Sequence, residues 1–327
     1  MTAFGSFKFF CTNTPSYAWC NLFYRQLLDL SNSNSNSTSL LQGLSKDATS
    51  APVGIDPVCG IPKLGKEGSI GNIANLVLCV LSMLAIVGVI WLTERRKAAV
   101  GRIELRNMFI CYFLTLPLQI LTTGSFLEQG STALVVLTAI HAGLVAAFFW
   151  MLVANAVVSM QILEDGTMSS LMPYFIFTTA FFGVTLYISL DVGFGFTETL
   201  GPSKTDPGGL RSIPLFIFTN IWPAVASLAF LILQSYIILR VLRELRPIFF
   251  YALATILFVL SQLAWLLLGR IICKGTAKDG NLGKIDGSFV GTLGETAAVV
   301  VLFLGWKSIT VEDWEEDQTY GYQSYKY

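Results

Sequence analysis

Long apolar stretches separated by short polar segments form the main pattern of this chain. A helix rises about 1.5 Å per residue, so roughly 20 mainly apolar residues are needed to cross the hydrocarbon of a bilayer. Seven stretches meet this requirement, and they predict an all-α, polytopic membrane protein with a seven-helix transmembrane bundle. The stretches cover residues 73–92, 108–127, 132–162, 171–190, 213–239, 248–268 and 288–306.

The seventh stretch differs from the others because it contains an acidic residue, Glu295. A six-helix protein is the alternative, but it would leave the apolar run at 297–304 in water. Two other stretches contain a proline, Pro117 in the second and Pro223 in the fifth. Neighbouring helices in a membrane can satisfy the carbonyl group that such a proline leaves free. Seven spans are therefore the better interpretation.

The basic residues predict how the bundle lies in the membrane. Five lie between the first and second spans and three between the fifth and sixth. The positive-inside rule places both connections in the cytosol, which gives a lumenal N-terminus and a cytosolic C-terminus. The connection between the sixth and seventh spans disagrees, with four basic residues on the predicted lumenal side. Because the first span usually dominates insertion, we divide the chain into a lumenal segment (1–72), a transmembrane domain (73–306) and an acidic cytosolic tail (307–327).

Composition agrees with a membrane protein and narrows its function. Charged residues make up 13% of the chain, mean hydropathy is +0.63, and the net charge is zero. Soluble domains carry about 25% charged residues. Nucleic acid is excluded as a partner because no basic surface could neutralise phosphates. With His141 as the only histidine, the sequence predicts no catalytic residue, no metal site and no cofactor, and hence no enzyme.

Four of the six cysteines fall on the predicted lumenal side, which is oxidising. They are Cys11, Cys20, Cys59 and Cys273. They suggest two disulfides with three possible pairings, and free thiols are the alternative. If both bonds form, one of them joins the N-terminal segment to the connection before the seventh span. Cys79 and Cys111 lie within spans, where we expect them to pack as small apolar residues.

Asn36 begins the only N-glycosylation sequon of the chain, Asn36-Ser37-Thr38. It lies in a low-complexity stretch of serine and asparagine that is unsuited to a packed core. Its place on the predicted lumenal side makes Asn36 a candidate glycosylation site.

His141 and Glu295 are the ionisable residues deepest in apolar sequence. Such residues normally face the interior of a bundle. They could form a proton relay or ligand site, but we favour a single hydrogen bond that joins the third span to the seventh, because no further acidic residue extends them into a pathway. Ala139, Gly143 and Ala147 recur at a spacing of four in the third span. Such a face serves either internal packing or docking of a foreign helix, and both remain open.

Short motifs occur in order along the whole chain. They are Phe10-Cys11…Thr14-Pro15…Cys20, Pro57-Val58-Cys59, Gly101-Arg102-Ile103-Glu104, Glu164-Asp165-Gly166-Thr167, Cys273 with Asp286-Gly287, and Trp306. This ordered set resembles the chitin synthase export chaperones of fungi. The resemblance implies an endoplasmic reticulum membrane chaperone that is required for the folding and vesicular export of its client, a chitin synthase, and so supports cell-wall chitin synthesis.

The acidic tail contains a candidate export signal. Asp313 and Glu315 form the ends of a di-acidic triplet, a pattern that vesicle-coat cargo adaptors can read. A solvated acidic tail without a partner is the alternative.

A seven-helix receptor and a small transporter are the competing functions. The third span ends in Gln161-Ile162-Leu163-Glu164-Asp165, where an acidic-Arg-aromatic triplet would favour a receptor. A transporter would depend on Glu295 and His141 alone. Neither competitor explains the ordered motifs.

Overall fold

Ten helices account for most of the part of the chain that the structure, a computed structural model, describes. The described residues are 3–14, 16–33, 70–96, 99–124, 126–161, 165–197, 199–201, 207–243, 245–276 and 283–310. In chain order the helices are α1 (Lys8–Asn13), α2 (Cys20–Ser33), α3 (Ile73–Arg95), α4 (Arg102–Thr123), α5 (Thr132–Ser159), α6 (Met168–Phe194), α7 (Ile213–Leu242), α8 (Arg246–Leu266), α9 (Gly269–Thr276) and α10 (Gly287–Thr310). Within these residues α3 to α8 and α10 are long and apolar enough to cross a membrane, which confirms the seven predicted spans.

The second span begins six residues before the apolar stretch at 108–127 that predicted it. Gly101 adopts a left-handed conformation, with φ of 67°, and α4 starts at the next residue. Glu104 in the first turn is completely buried, although its sequence surroundings are those of a polar loop. A carboxylate near the N-terminus of a helix is also favoured by the helix dipole. Hydropathy assigns a polar first turn to a loop, because it does not record that the acid is buried. The predicted start of the second span therefore falls too late.

The most buried span is α5, which packs on α4, α6 and α7. Its small-residue face lies inside the protein, since Ala139 and Ala147 are fully buried. A Cβ atom at Gly143 would lie 2.9 Å from the ring of Phe182 and 3.0 Å from its carbonyl oxygen. The face predicted from Ala139, Gly143 and Ala147 therefore serves internal packing against α6, and it has no room for a foreign helix.

The prolines in α4 and α7 are accommodated within continuous helices, as the sequence predicted for membrane spans. In α7 a π-helical turn at Ile217–Ile221 precedes Pro223, and the Trp222 N–H donates to the Ile217 carbonyl oxygen. The indole N–H of Trp222 donates to the Ala146 carbonyl oxygen over 3.1 Å. This bond joins the irregular part of α7 to α5.

One end of the bundle is filled by the N-terminal segment. Residues 3–14 and 16–27, which we name the cap, pack among the ends of the spans. Their cluster combines Phe7, Leu22 and Phe23 of the cap with Val135, Val192 and Leu215 of the spans. We name this the capped end. The opposite end, which we name the basic end, carries Arg95, Arg102, Arg106, Arg240, Arg243 and Arg246.

Candidate functional site

The cap is held on the bundle by backbone pairing and by a disulfide. The Phe7 N–H donates to the Leu210 carbonyl oxygen over 2.9 Å, and the Ser212 N–H donates to the Gly5 carbonyl oxygen over 3.0 Å. These bonds pair the start of the cap with the segment before α7. A disulfide joins Cys11 of α1 to Cys20 at the start of α2, and their Cα atoms lie 5.7 Å apart. The bond fixes the turn between the two helices of the cap.

A buried carboxylate, Asp286, connects the cap to the starts of two spans. The Ser16 hydroxyl donates to Asp286 Oδ2 over 2.5 Å, and the Ser288 hydroxyl donates to Oδ1 over 2.5 Å. The Asn72 amide, just before α3, donates to both serine oxygens over 3.2 and 2.9 Å. Burial raises the pKa of Asp286 from its ordinary value, and these hydrogen bonds oppose that rise. We name this network the Asp286 site.

The middle of the cap reaches into the interior of the bundle. The Tyr17 hydroxyl donates to Asn220 Oδ1 in α7 over 3.0 Å, and burial raises the pKa of Tyr17, which keeps it a donor. The ring of Trp19 lies 5.2 Å from that of His141 in α5. The Asn21 amide donates to the Thr122 carbonyl oxygen in α4 over 3.1 Å. The cap therefore contacts three spans through side chains that the sequence did not single out.

Beneath the cap lies a cavity of about 150 Å³. Its walls come from the cap, α4, α5, α7, α8 and α10. Aromatic rings form much of the surface, and His141, Gln119, Asn220, Gln262 and Glu295 supply polar groups. A mostly apolar cavity with a few convergent polar groups is the usual form of a ligand site.

His141 and Glu295 both line this cavity, as expected for polar residues facing the interior, but the predicted bond between their helices is wrong. Glu295 accepts instead from the Gln262 amide of α8 over 2.7 Å. His141 Nδ1 lies 3.3 Å from the Thr122 hydroxyl of α4. The reason is geometric, because α10 packs most extensively on α8 and presents Glu295 to that neighbour.

At the basic end a second buried carboxylate, Glu104, joins α4 to the start of α6. Its Oε1 accepts from the Gly166 N–H and from the Ser170 hydroxyl, each over 3.0 Å. The Glu104 carbonyl oxygen accepts from the Tyr174 hydroxyl over 2.8 Å. A second bond joins the same two segments, because Asp165 Oδ2 accepts from the Gly101 N–H over 2.9 Å. We name this network the Glu104 site.

The ordered motifs of the sequence meet in pairs at these two sites. Gly101 and Glu104 contact the segment that begins at Asp165, and Ser16, between Thr14 and Cys20, contacts Asp286. Trp306 belongs to the same pattern, because its indole N–H donates to the Val100 carbonyl oxygen over 3.0 Å. The one signal in the sequence for these contacts would have been a motif with a hydrogen-bond acceptor matched to a motif with hydrogen-bond donors. Sequence reasoning missed the roles of Ser16, Asn72, Glu104 and Gln262.

The remaining predicted residues divide between described and undescribed parts of the chain. Cys273 in α9 is disulfide-bonded, whereas Cys59 lies outside the described residues. Cys79 and Cys111 are buried free thiols. Asn36, Asp313 and Glu315 also lie outside the described residues. Within the described ranges, no three His, Cys, Asp or Glu side chains come together as a metal ion would require.

Comparison with known proteins gives a match over nearly the whole chain. A family model described as "Chitin synthase export chaperone" matches residues 3–319. Relatives with the same description include one from Chaetomium globosum, 30% identical over 66% of this chain and 61% of the relative. Others come from Neurospora crassa, 27% identical over 66% and 57%, and Yarrowia lipolytica, 26% identical over 69% and 65%. The match spans about three fifths of the length of these relatives. No solved structure matches the chain.

Proposed function

Because this chain belongs to the chitin synthase export chaperone family, we propose that it is a membrane chaperone of the endoplasmic reticulum, required for the folding and vesicular export of a chitin synthase. The observation that carries the proposal is the match of residues 3–319 to this family, whose description names a chaperone for chitin synthase export. Two buried sites support it, since the motifs that led to the family are the residues that hold this bundle together.

The physical task of such a chaperone is to cover a client bundle before it closes. A partly assembled polytopic protein exposes polar groups to lipid, and each unsatisfied group is costly there. A second preformed bundle can shield these groups through helix–helix contact. This chain has a stable interior of its own, because the small-residue face of α5 is already packed on α6. The outer faces of the helices of this chain are therefore the surfaces that contact the client.

We propose that the capped end is lumenal and the basic end cytosolic. Support comes from the disulfide-bonded cysteines, Cys11, Cys20 and Cys273, which lie at the capped end or in α9 beside it. The arginines of the basic end agree with the positive-inside rule. Arg270 and Lys274, which disagreed with this orientation in the sequence, are exposed on α9, where their charges can remain in water.

Three further features belong to the same proposal. Residues 1–72 would be exposed to the glycosylation machinery at Asn36, and residues 307–327 would extend into the cytosol. Asp313 and Glu315 would there engage vesicle-coat cargo adaptors.

Removal of the two acids by Asp313→Ala and Glu315→Ala should retain both the chaperone and its client in the endoplasmic reticulum. The matched change Gln318→Ala should have no effect, and equal export of all variants would contradict the signal.

The decisive experiment deletes the gene and follows a fluorescently tagged chitin synthase. We expect the synthase to remain in the endoplasmic reticulum and to reach the cell surface again when the full chain is restored. A tagged plasma membrane protein of another family serves as the control and should be delivered normally. Normal delivery of every chitin synthase without this chain would contradict the proposal, as would co-purification of a G protein in place of a synthase.

A further inference from the structure

We propose that the cavity beneath the cap binds a small organic amine, whose ammonium group pairs with Glu295. This carboxylate lines the cavity, and its hydrogen-bond donor is a neutral amide, that of Gln262 at 2.7 Å. The described cavity walls contain no lysine and no arginine. Glu295 is partly buried, and a carboxylate withdrawn from water without a cationic partner is unfavourable, so a ligand that brings a positive charge is stabilised there.

The aromatic side chains of the cavity walls also favour a positively charged ligand. Rings of Trp19, Tyr112, Phe148, Phe258 and Trp265 line the cavity. The face of an aromatic ring attracts a cation, most strongly where water is excluded. Inorganic cations such as calcium and magnesium instead favour several carboxylate ligands, and Glu295 is the one acidic residue among the described cavity walls. An organic ammonium group is therefore the cation that these walls favour.

The size of the cavity limits the rest of the ligand. Its volume is about 150 Å³. An engineered protein cavity of about this volume holds a benzene molecule, so roughly six to ten non-hydrogen atoms fit. This range includes short aliphatic amines and amines with one aromatic ring.

A second polar group indicates what lies at the other end of the ligand. Trp265 lines the cavity, and its buried indole Nε1 has no hydrogen-bond acceptor among the described residues. A Cβ atom at Gly291 would lie 3.1 Å from the Trp265 ring, and Gly291 precedes Glu295 by one helical turn. A ligand with an ammonium group at Glu295 can thus place an oxygen acceptor near Trp265. Hydroxylated amines, such as tyramine, combine the two groups.

The test measures binding of tyramine to the purified full-length protein by isothermal titration calorimetry. Its neutral counterpart, 2-(4-hydroxyphenyl)ethanol, differs only by a hydroxyl in place of the amine and serves as the matched ligand. We expect saturable binding of tyramine and at least tenfold weaker binding of the alcohol. Glu295→Gln should lower the affinity for tyramine at least tenfold and leave that for the alcohol within a factor of two.

Two further variants test the binding site without changing Glu295. Ala298→Leu places a larger apolar side chain in the cavity wall and should abolish binding of both ligands. Glu94→Gln removes an exposed carboxylate outside the cavity and should change neither affinity. If Glu295→Gln does not fold, the two ligands on the unaltered protein, together with Ala298→Leu, decide the matter.

Three results would overturn the proposal: no saturable binding of tyramine, equal affinities for tyramine and the alcohol, or full tyramine affinity in folded Glu295→Gln. Binding is measured without a chitin synthase. Failure of the amine site therefore leaves the chaperone role standing, and failure of the chaperone role in the deletion experiment leaves the binding result standing.

Discussion

The Asp286 site and the Glu104 site solve the same problem at opposite ends of the bundle by different means. Each uses a completely buried carboxylate to accept hydrogen bonds from separate segments. Glu104 binds residues 62 and 66 positions away, which belong to the next helical hairpin. Asp286 accepts from Ser16, which is 270 positions away, and the cap there is further held by a disulfide.

The difference teaches which part of the molecule can separate from the rest. The Glu104 site connects α4 to the start of α6, two spans that both pack on α5, so we expect breaking it to disturb the bundle itself. The cap contains no span, so we expect it to leave the Asp286 site more readily than the spans separate from one another. We therefore expect changes at the basic end to affect global stability and changes at the capped end to affect mainly the cap.

The largest effect should follow from Glu104→Ala. The change removes the acceptor of the partly buried Gly166 N–H and leaves the Ser170 hydroxyl only its 3.2 Å bond to the Thr167 carbonyl oxygen, which costs about 2–4 kcal/mol of unfolding free energy. Thermal unfolding of the detergent-solubilised protein, followed by size-exclusion chromatography, measures the loss. Glu104→Gln keeps an acceptor oxygen and should lose less. Equal stability of the alanine and glutamine variants would contradict the role of Glu104.

The exposed Glu94 provides the control for this first change. It pairs with Arg102 at 3.1 Å and with Arg106 at 2.7 Å on the surface of the basic end. Surface ion pairs contribute little because water and salt screen them. Glu94→Gln should therefore leave the unfolding temperature unchanged.

A smaller and local effect should follow from replacing Cys11 and Cys20 together by serine. A disulfide that closes so short a loop stabilises by about 2–3 kcal/mol. Hydrogen exchange measured by mass spectrometry should become faster in the cap and stay unchanged at Glu104 and Gly166. Cys111→Ala, which removes a free buried thiol, is the control and should not accelerate exchange in the cap. Equal acceleration at both ends would remove the distinction between them.

Ser16→Ala should loosen the cap by about 1–2 kcal/mol, because it removes both the bond to Asp286 and the bond that Ser16 accepts from Asn72. The remaining Ser288 bonds still satisfy Asp286 Oδ1. Thr12→Ala removes a hydroxyl of the same cap that bonds only to its own helix, and it is the matched control. Exchange rates in the cap distinguish the two variants, and equal rates would contradict the importance of the Ser16 bond.

The smallest effect concerns pH. The raised pKa of Asp286 means that the folded protein favours the protonated acid more than the unfolded chain does. Its contribution to stability is complete below the ordinary pKa of 3.8 and is lost as pH rises through the raised value. The free energy of unfolding should therefore fall with rising pH across this interval. Asp286→Asn should reduce that slope, and an unchanged slope would exclude Asp286 as its source.

The sequence predicted the spans well because their apolar content is a local property. It placed the start of α4 too late, since Glu104 and its neighbouring arginines resemble a loop until their tertiary partners are known. It placed His141 and Glu295 in the interior, but their partners depend on how each helix is rotated, which hydropathy does not record. The contact between Ser16 and Asp286 could not be predicted, because no local pattern relates residues so far apart.

That same contact sets an order of events during synthesis. Ser16 leaves the ribosome before its acceptor, which follows 270 residues later. At a typical rate of 5–20 residues per second, roughly 15–50 s pass before Asp286 exists. During that time the cap has neither its acceptor nor the start of α10 to bind, and the cavity has no complete wall. The protein is thus itself an unfinished bundle with an open polar interior until Asp286 has been made.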